Sequence, residues 1–383
     1  MKTLLSALLT ASATIAYAAT AHFVRHELAA FPAPYQLAVA DMNGDGKPDV
    51  IALSIESNRV DWFENPTWKP HPVARTSRNI DLAPYDVDGD GRPEIALASG
   101  FAYSESKEAN QIQWLSRGAT PDQPWQIHFI ATDPVVHRLR WGDLDGDGRA
   151  ELIHAPIVDA GFKDIRQTKP IHLWAFRVPA NPAADPWRVW AIDESLTLLH
   201  GIHVGRLDKK DGRAEVLTAS AAGIHRYHFE GSVEKGHWQK SLVGVGAPGE
   251  SEVAPGNLRA GKLFIATIEP YHGNQAAVYT PAAKEGPWQR HVLDTTLQEG
   301  HALAIADFDG DGLDDILVGW RAGNGGLVLF RANDGSGQHF TRVELERGVA
   351  AECAVVADLD GDGKPDFVVS DGANNRILWY QNK

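Results

Sequence analysis

Three histidines, His137, His200 and His301, occupy one register of a repeated segment, each six residues before an acidic loop or its remnant begins. The other four copies place Tyr35, Ile80, Ser251 and Glu352 at that position. Histidine accounts for 16 of 383 residues, so three in a column of seven exceed what composition supplies. Equivalent positions of separate repeats converge when the repeats surround an axis. Imidazoles meeting there offer neutral nitrogen ligands to one zinc ion, or a similar transition metal, and leave coordination sites open for a substrate. The plainer alternative is a polar lining of a wet channel, with the rings bonded to water. The residues alone leave both readings open.

The loop itself is a second metal motif. It reads DMNGDGKPD from Asp41, DVDGDGRPE from Asp86, DLDGDGRAE from Asp143, DFDGDGLDD from Asp307 and DLDGDGKPD from Asp358. Side-chain oxygens at positions 1, 3, 5 and 9 and the carbonyl of position 7 can surround a hard cation, calcium or magnesium. The first copy supplies Asp41, Asn43, Asp45, Asp49 and the carbonyl of Lys47; the second supplies Asp86, Asp88, Asp90, Glu94 and Arg92. In the third these are Asp143, Asp145, Asp147, Glu151 and Arg149. The last two supply Asp307, Asp309, Asp311, Asp315 and Leu313, then Asp358, Asp360, Asp362, Asp366 and Lys364. An EF-hand is excluded, because no glutamate stands at position 12 and the flanks alternate as strands do. Five near-identical copies fit a structural staple, since a catalytic centre would not be repeated around a rim.

Those loops dictate the elements around them. Each follows an apolar run such as "QLAVA" or "ALAIA" and precedes a β-rich run such as "VIALS" or "DILVG". Two decayed copies place Arg206 and Asn257 where the first aspartate stood, which completes seven starts at 41, 86, 143, 206, 257, 307 and 358. A repeat of about fifty residues built from short strands indicates a β-propeller. The expected fold is all-β, a seven-bladed propeller over residues 20–383. The chain ends after a third strand, "ILWYQNK", and the segment from His22 to Ala30, "HFVRHELAA", is expected to complete the seventh blade and close the ring.

The innermost strand runs from the histidine to the acidic loop and the second strand returns, so the next connection lies on the histidine face. These connections are long and uneven, as a substrate pocket requires: "SGFAYSESKEANQ", "PIVDAGFKDIRQTKP", "IEPYHGNQ" and "GWRAGNGG". His272 is the candidate proton-transfer group, with Tyr271 beside it as a further catalytic candidate. Tyr103, Arg138, Arg321 and Glu352 are candidates for substrate binding. Strict alternation turns His203 to the opposite side of its strand from His200, into packing between blades. His154, His172, His225 and His228 read as structural.

Residues 1–19 combine a lysine, an apolar run and small residues, the pattern of a secretory signal peptide cleaved after Ala18 or Ala19. A periplasmic or secreted protein without a membrane span is therefore expected. Cys353 is the sole cysteine, so no intrachain disulfide supports the fold. The net charge of −14 disfavours nucleic acid as a partner; oligomeric state is not encoded in any feature of the sequence.

The repeats resemble the FG-GAP (VCBS-type) family, which implies the propeller and is nearly silent on function. "HRLRWGD" followed by "APIV", then "LLHGIHVG", "IEPYHGNQAAVYT", "WQRHVLD" and "GHALAIADFDGDG" resemble the propeller of the fungal aldos-2-ulose dehydratase family. That resemblance implies a zinc ion in the propeller cleft, dehydration of keto sugars, and further metal ions in the acidic loops. Carried over by register, it makes His137, His200 and His301 the zinc ligands, with His272 nearby. The family continues into cupin and lectin-like domains, so an isomerase step assigned to the cupin part is expected to be missing. The expected function is a zinc-dependent carbon–oxygen lyase acting on a keto sugar or keto-glycoside, releasing water or an alcohol. The alternative is a non-catalytic carbohydrate-binding propeller, which would repeat its pocket between blades. A hydrolase is disfavoured, because no carboxylate pair stands outside the cation loops.

Overall fold

A computed structural model describes residues 22–102, 110–118, 123–159, 161–164, 167–207, 211–246, 249–282 and 286–383. The expected signal peptide lies outside the described residues. Within them, the strands form seven four-stranded antiparallel sheets. Their innermost strands are Pro34–Ala40, Asp81–Tyr85, Arg138–Gly142, Leu199–Gly205, Glu252–Asn257, Gly300–Ala306 and Ala351–Ala357, which we number as blades 1 to 7. Each innermost strand contacts that of the next blade, and blade 7 contacts blade 1, so the ring is closed. The closing sheet contains Ala351–Ala357, Asp366–Asp371 and Arg376–Asn382, with Phe23–Ala30 as its outer strand. Phe23 seals this junction, its ring 4.9 Å from Phe367 and 5.6 Å from Phe308.

Burial explains why the second strands read as continuous apolar runs. Asp49–Ser54, Glu94–Ser99, Glu215–Ser220 and Asp315–Trp320 are buried at every position, because neighbouring blades cover both faces of each sheet. The outer strands meet solvent on one side and alternate, as in Gln126–Thr132.

The acidic turns hold themselves by backbone capture. Asp41 accepts the amides of Gly44 (2.7 Å) and Gly46 (2.8 Å), and both glycines adopt positive φ, which a side chain would strain. The ninth-position carboxylate reaches back to the amide of the second residue: Asp49 to Met42 at 2.8 Å, Glu94 to Val87 at 3.0 Å and Glu151 to Leu144 at 3.0 Å. Burial pushes Asp49 up to about 6 and Glu94, Glu151 and Asp315 up to about 7, with neighbouring carboxylates adding to the rise. Oxygens of Asp86, Asp88 and Asp90 lie within 4.8 Å of one another, as do those of Asp143, Asp145 and Glu151, of Asp307, Asp309 and Asp311, and of Asp358, Asp360 and Asp366. Such convergence of like charge suits a divalent cation.

The decayed loops solve the charge problem differently. In blade 4 the buried Glu215 accepts Arg226 Nε at 2.8 Å, so a guanidinium stands where other blades gather carboxylates. In blade 5, Asn257 donates its backbone and side-chain N–H groups to Asp314 of the neighbouring blade, at 2.6 and 3.0 Å. Arg226→Ala should therefore leave a buried carboxylate short of its cation. It is expected to lower stability by about 2–3 kcal/mol, below the cost for a fully buried pair because Arg226 is partly exposed. Urea unfolding measures the loss, and a change under about 0.5 kcal/mol would refute the substitution of arginine for a cation.

Candidate active site

In four of the seven blades the histidine column coincides with a break in strand pairing, whereas His137 directly precedes Arg138–Gly142, whose ladder has no shift. Between the innermost and second strands the register slips at Pro34/Leu37 in blade 1, Leu199/Gly201 in blade 4, Gly300/Ala302 in blade 6 and Ala351/Cys353 in blade 7. Tyr35, His200, His301 and Glu352 fall inside these bulges. A bulge leaves a residue outside the ladder and re-aims its side chain, here toward the axis. The bulge also resets the alternation, and this corrects the expectation for His203. Three residues after His200, it lines the central channel instead of packing between blades. That channel has a volume of about 550 Å³ and is bordered by Arg138, Arg140, Trp141 and Glu252 among others.

Four imidazoles converge at the mouth. His137, His200 and His301 are buried, and His272 is half-buried. Ring centroids lie 4.6 Å apart for His137 and His200, 4.8 Å for His200 and His272, and 5.2 Å for both His200–His301 and His272–His301. The nitrogens of His200, His272 and His301 all fall within 4.8 Å of one another, a set that does not include His137. His137 instead lies against His200, with its Nδ1 buried and without a hydrogen-bond partner among the described residues.

The partners behind the rings decide which nitrogens face inward. His200 Nδ1 lies 2.9 Å from the carbonyl oxygen of Ser251, and His301 Nδ1 lies 2.5 Å from that of Glu352. A carbonyl only accepts, so both rings carry the proton on Nδ1 and present the lone pair of Nε2. Glu252 adds a carboxylate 3.1 Å from His200 Nδ1 and accepts Arg138 Nη2 at 2.8 Å. Burial holds His137, His200 and His301 well below the usual imidazole range, and the nearby Arg138 or Arg321 adds to the effect. His272 is pushed down to about 2 by burial, then by His200 and Arg321. Neutral rings with lone pairs fixed inward fit a zinc ion of nitrogen-rich coordination.

The other sequence candidates divide into two groups. Arg321 lies at this centre, donating to His272 Nδ1 (3.2 Å), Glu352 Oε2 (2.8 Å) and Glu299 Oε2 (3.1 Å). Tyr271 stacks on His272 at 4.0 Å, and Arg138 is buried beneath the rings with Nε and Nη1 unpartnered among the described residues. Tyr103 lies outside the described residues. His272 itself sits in a tight loop after Leu263–Glu269, at φ 45°, and a Cβ on the next residue, Gly273, would come within 2.2 Å of Pro270 N. Glu299, Tyr35 and Glu252 were not among the sequence candidates. Tyr35, whose hydroxyl lies 3.2 Å from His301 Nε2, was visible as a member of the histidine column. Glu252 had only the signal of following Ser251 in that column.

Residues 109–282 match the family described as aldos-2-ulose dehydratase, beta-propeller domain, a span holding His137, His200 and His272. The chain resembles a dehydratase propeller. The aldos-2-ulose dehydratase of Phanerodontia chrysosporium is 25% identical over 314 residues, covering 74% of this chain and 33% of that protein. The chain thus spans about a third of that relative's length. Residues 41–97 and 307–369, where intact acidic loops lie, match the FG-GAP-like repeat. Shorter likenesses extend to other proteins. Integrin alpha pat-2 of Caenorhabditis briggsae is 30% identical over 138 residues, covering 33% of this chain and 11% of that protein. Phosphatidylinositol-glycan-specific phospholipase D of Rattus norvegicus is 28% identical over 144 residues, covering 33% and 16%. Among solved structures, that of BBS1N in complex with ARL6DN aligns with a TM-score of 0.58 at 13% identity, over 95% of this chain and 97% of that one, a likeness of fold alone.

Proposed function

We propose that the protein is a zinc-dependent carbon–oxygen lyase acting on keto sugars or keto-glycosides, releasing water or an alcohol by β-elimination. The observation that carries this reading is the convergence of four neutral imidazoles from blades 3 to 6, two of them with Nε2 lone pairs fixed inward by carbonyl acceptors. His137, His200 and His301 are the proposed ligands. The proximity of His272 to His200 and His301 lets it either bond the substrate or compete as a ligand. When bound, zinc supplies Lewis acidity that polarises a ketone and acidifies the neighbouring C–H.

The chain's own groups supply the rest. Arg321, Glu299, Glu352, Glu56 and Tyr35 border a pocket of about 360 Å³ on the mouth side, suited to hydroxyl groups of a sugar. Its carboxylates outnumber its one guanidinium, which favours a neutral sugar over an anionic one. Calcium or magnesium in the acidic loops is the proposed staple of the blades, and residues 1–19 are proposed to direct the chain out of the cytoplasm.

The test offers purified protein a panel of 2-keto and 3-keto sugars, free and glycosidic. An enone product with new ultraviolet absorbance is expected, together with released alcohol from the glycosides. The matching sugar with a hydroxyl in place of the ketone should not react, because its C–H is not acidified. Binding without turnover across the panel would instead support a carbohydrate-binding propeller.

A further inference from the structure

We propose that Arg321 is a positioning residue that locks His272 in the tautomer protonated at Nε2, so that His272 meets the substrate as a hydrogen-bond donor and not as a proton acceptor. This rests on the lyase reading for its catalytic meaning, though not for its geometry. Arginine has five N–H donors and no acceptor, and a neutral imidazole has one donor and one acceptor. Arg321 Nη2 lies 3.2 Å from His272 Nδ1, so Nδ1 must accept and the ring proton sits on Nε2. With no metal between the two rings, the other end is consistent with the same answer. His272 Nε2 lies 3.1 Å from His200 Nε2, which is a lone pair because His200 Nδ1 donates to Ser251 O at 2.9 Å.

The result is a one-way relay: Arg321 donates to His272, His272 to His200, and His200 to the Ser251 carbonyl. The opposite tautomer of His272 would set donor against donor at Arg321. Arg321 cannot readily turn away, since Glu352 and Glu299 accept its Nη1 and Nε at 2.8 and 3.1 Å.

A donor at this place has a defined use. Were His200 Nε2 to hold a metal, the Nε2–H of His272 would be free to bond an oxygen of the substrate and stabilise charge developing during proton loss. A neutral imidazole is a strong enough donor for that task. The proton leaving carbon then passes to a carboxylate of the mouth pocket, for which Glu352, Glu299 and Glu56 are the groups present.

The tautomer is directly readable in protein labelled with ¹⁵N-histidine, using long-range ¹H–¹⁵N correlation spectra recorded without and with one equivalent of zinc. The His272 signals are identified by their loss in His272→Gln. A protonated-type shift at Nε2 and an unprotonated-type shift at Nδ1 are expected in both spectra. Arg321→Met should release the lock and mix the tautomers, and Arg321→Lys, which keeps a donor, should preserve it. A proton on Nδ1 in the unaltered protein, an unchanged pattern in Arg321→Met, or a zinc-shifted Nε2 of His272 would each overturn the proposal. Turnover gives a second readout: His272→Gln keeps an N–H donor and should retain roughly tenfold more activity than His272→Ala, whereas a lost base would cost both variants alike. The spectra need no substrate, so failure of every keto sugar would refute the lyase reading and leave the tautomer assignment standing.

Discussion

Replacing His200 or His301 by alanine is expected to empty the proposed zinc site and abolish the proposed lyase activity. Zinc content of the purified protein should fall from near one per chain to near zero in each variant. Each substitution removes an inward Nε2 lone pair and leaves the backbone acceptor behind it, Ser251 O or Glu352 O, without its donor. Losing Lewis-acid stabilisation worth several kcal/mol corresponds to roughly three orders of magnitude or more in rate. His137→Ala discriminates between two ligand sets. Its ring lies against His200 but outside the group of nitrogens gathered within 4.8 Å. Near-complete zinc loss in this variant supports the set of His137, His200 and His301; retention would shift the third ligand to His272. Glu252→Gln removes a charge beside His200 Nδ1 and should weaken zinc binding about tenfold to a hundredfold. Zinc content unchanged in all the histidine variants would remove the basis of the proposed chemistry.

The second large effect concerns stability. Stripping calcium and magnesium from the acidic loops, with a chelator too weak to take zinc, is expected to lower the melting temperature by about 10 °C or more. A ligand bound only by the folded state adds about 2.7 kcal/mol per site at one hundredfold saturation, and several loops lose it together. The loops should not respond equally. Arg92 donates to Asp90 at 2.7 Å in blade 2, Arg177 donates to Asp145 at 2.7 Å in blade 3, and Arg331 pairs with Asp309 in blade 6, so part of the negative charge in these loops is compensated. Calcium titration should accordingly fill the loops of blades 1 and 7 first, where lysines approach the carboxylates only to 3.6–3.9 Å. Blade 4, with Arg226 on Glu215, should show no cation dependence at all. A melting curve unmoved by verified removal of both ions would refute the staple.

Much of this architecture was legible because repetition amplifies weak signals. A single "DLDGDGKPD" is a plausible turn; five in one frame, each between two apolar runs, define blades. The same counting exposed the histidine column, and with it Tyr35 and Glu352. The pairing of Phe23–Ala30 with Arg376–Asn382 was equally readable, since a strand pattern at one end matched the strand missing at the other. What counting could not reach was the direction of each side chain. His203 was assigned to the wrong side by strict alternation, because a bulge at His200 shifts the parity and leaves no mark in the residues themselves.

By itself, then, the sequence determined the order of the blades, the closure of the ring, the position of the loops and the height at which histidines enter the axis. All of these follow from local patterns and their period. Only the tertiary structure decided which nitrogens face one another. That depends on groups distant in the chain, such as Ser251 O behind His200, Glu352 O behind His301 and Arg321 behind His272. A hydrogen bond has a direction, and a ring's tautomer is set by whichever donor or acceptor the fold brings to its far side. The sequence supplies the imidazoles; the packing of blade against blade chooses where their protons sit.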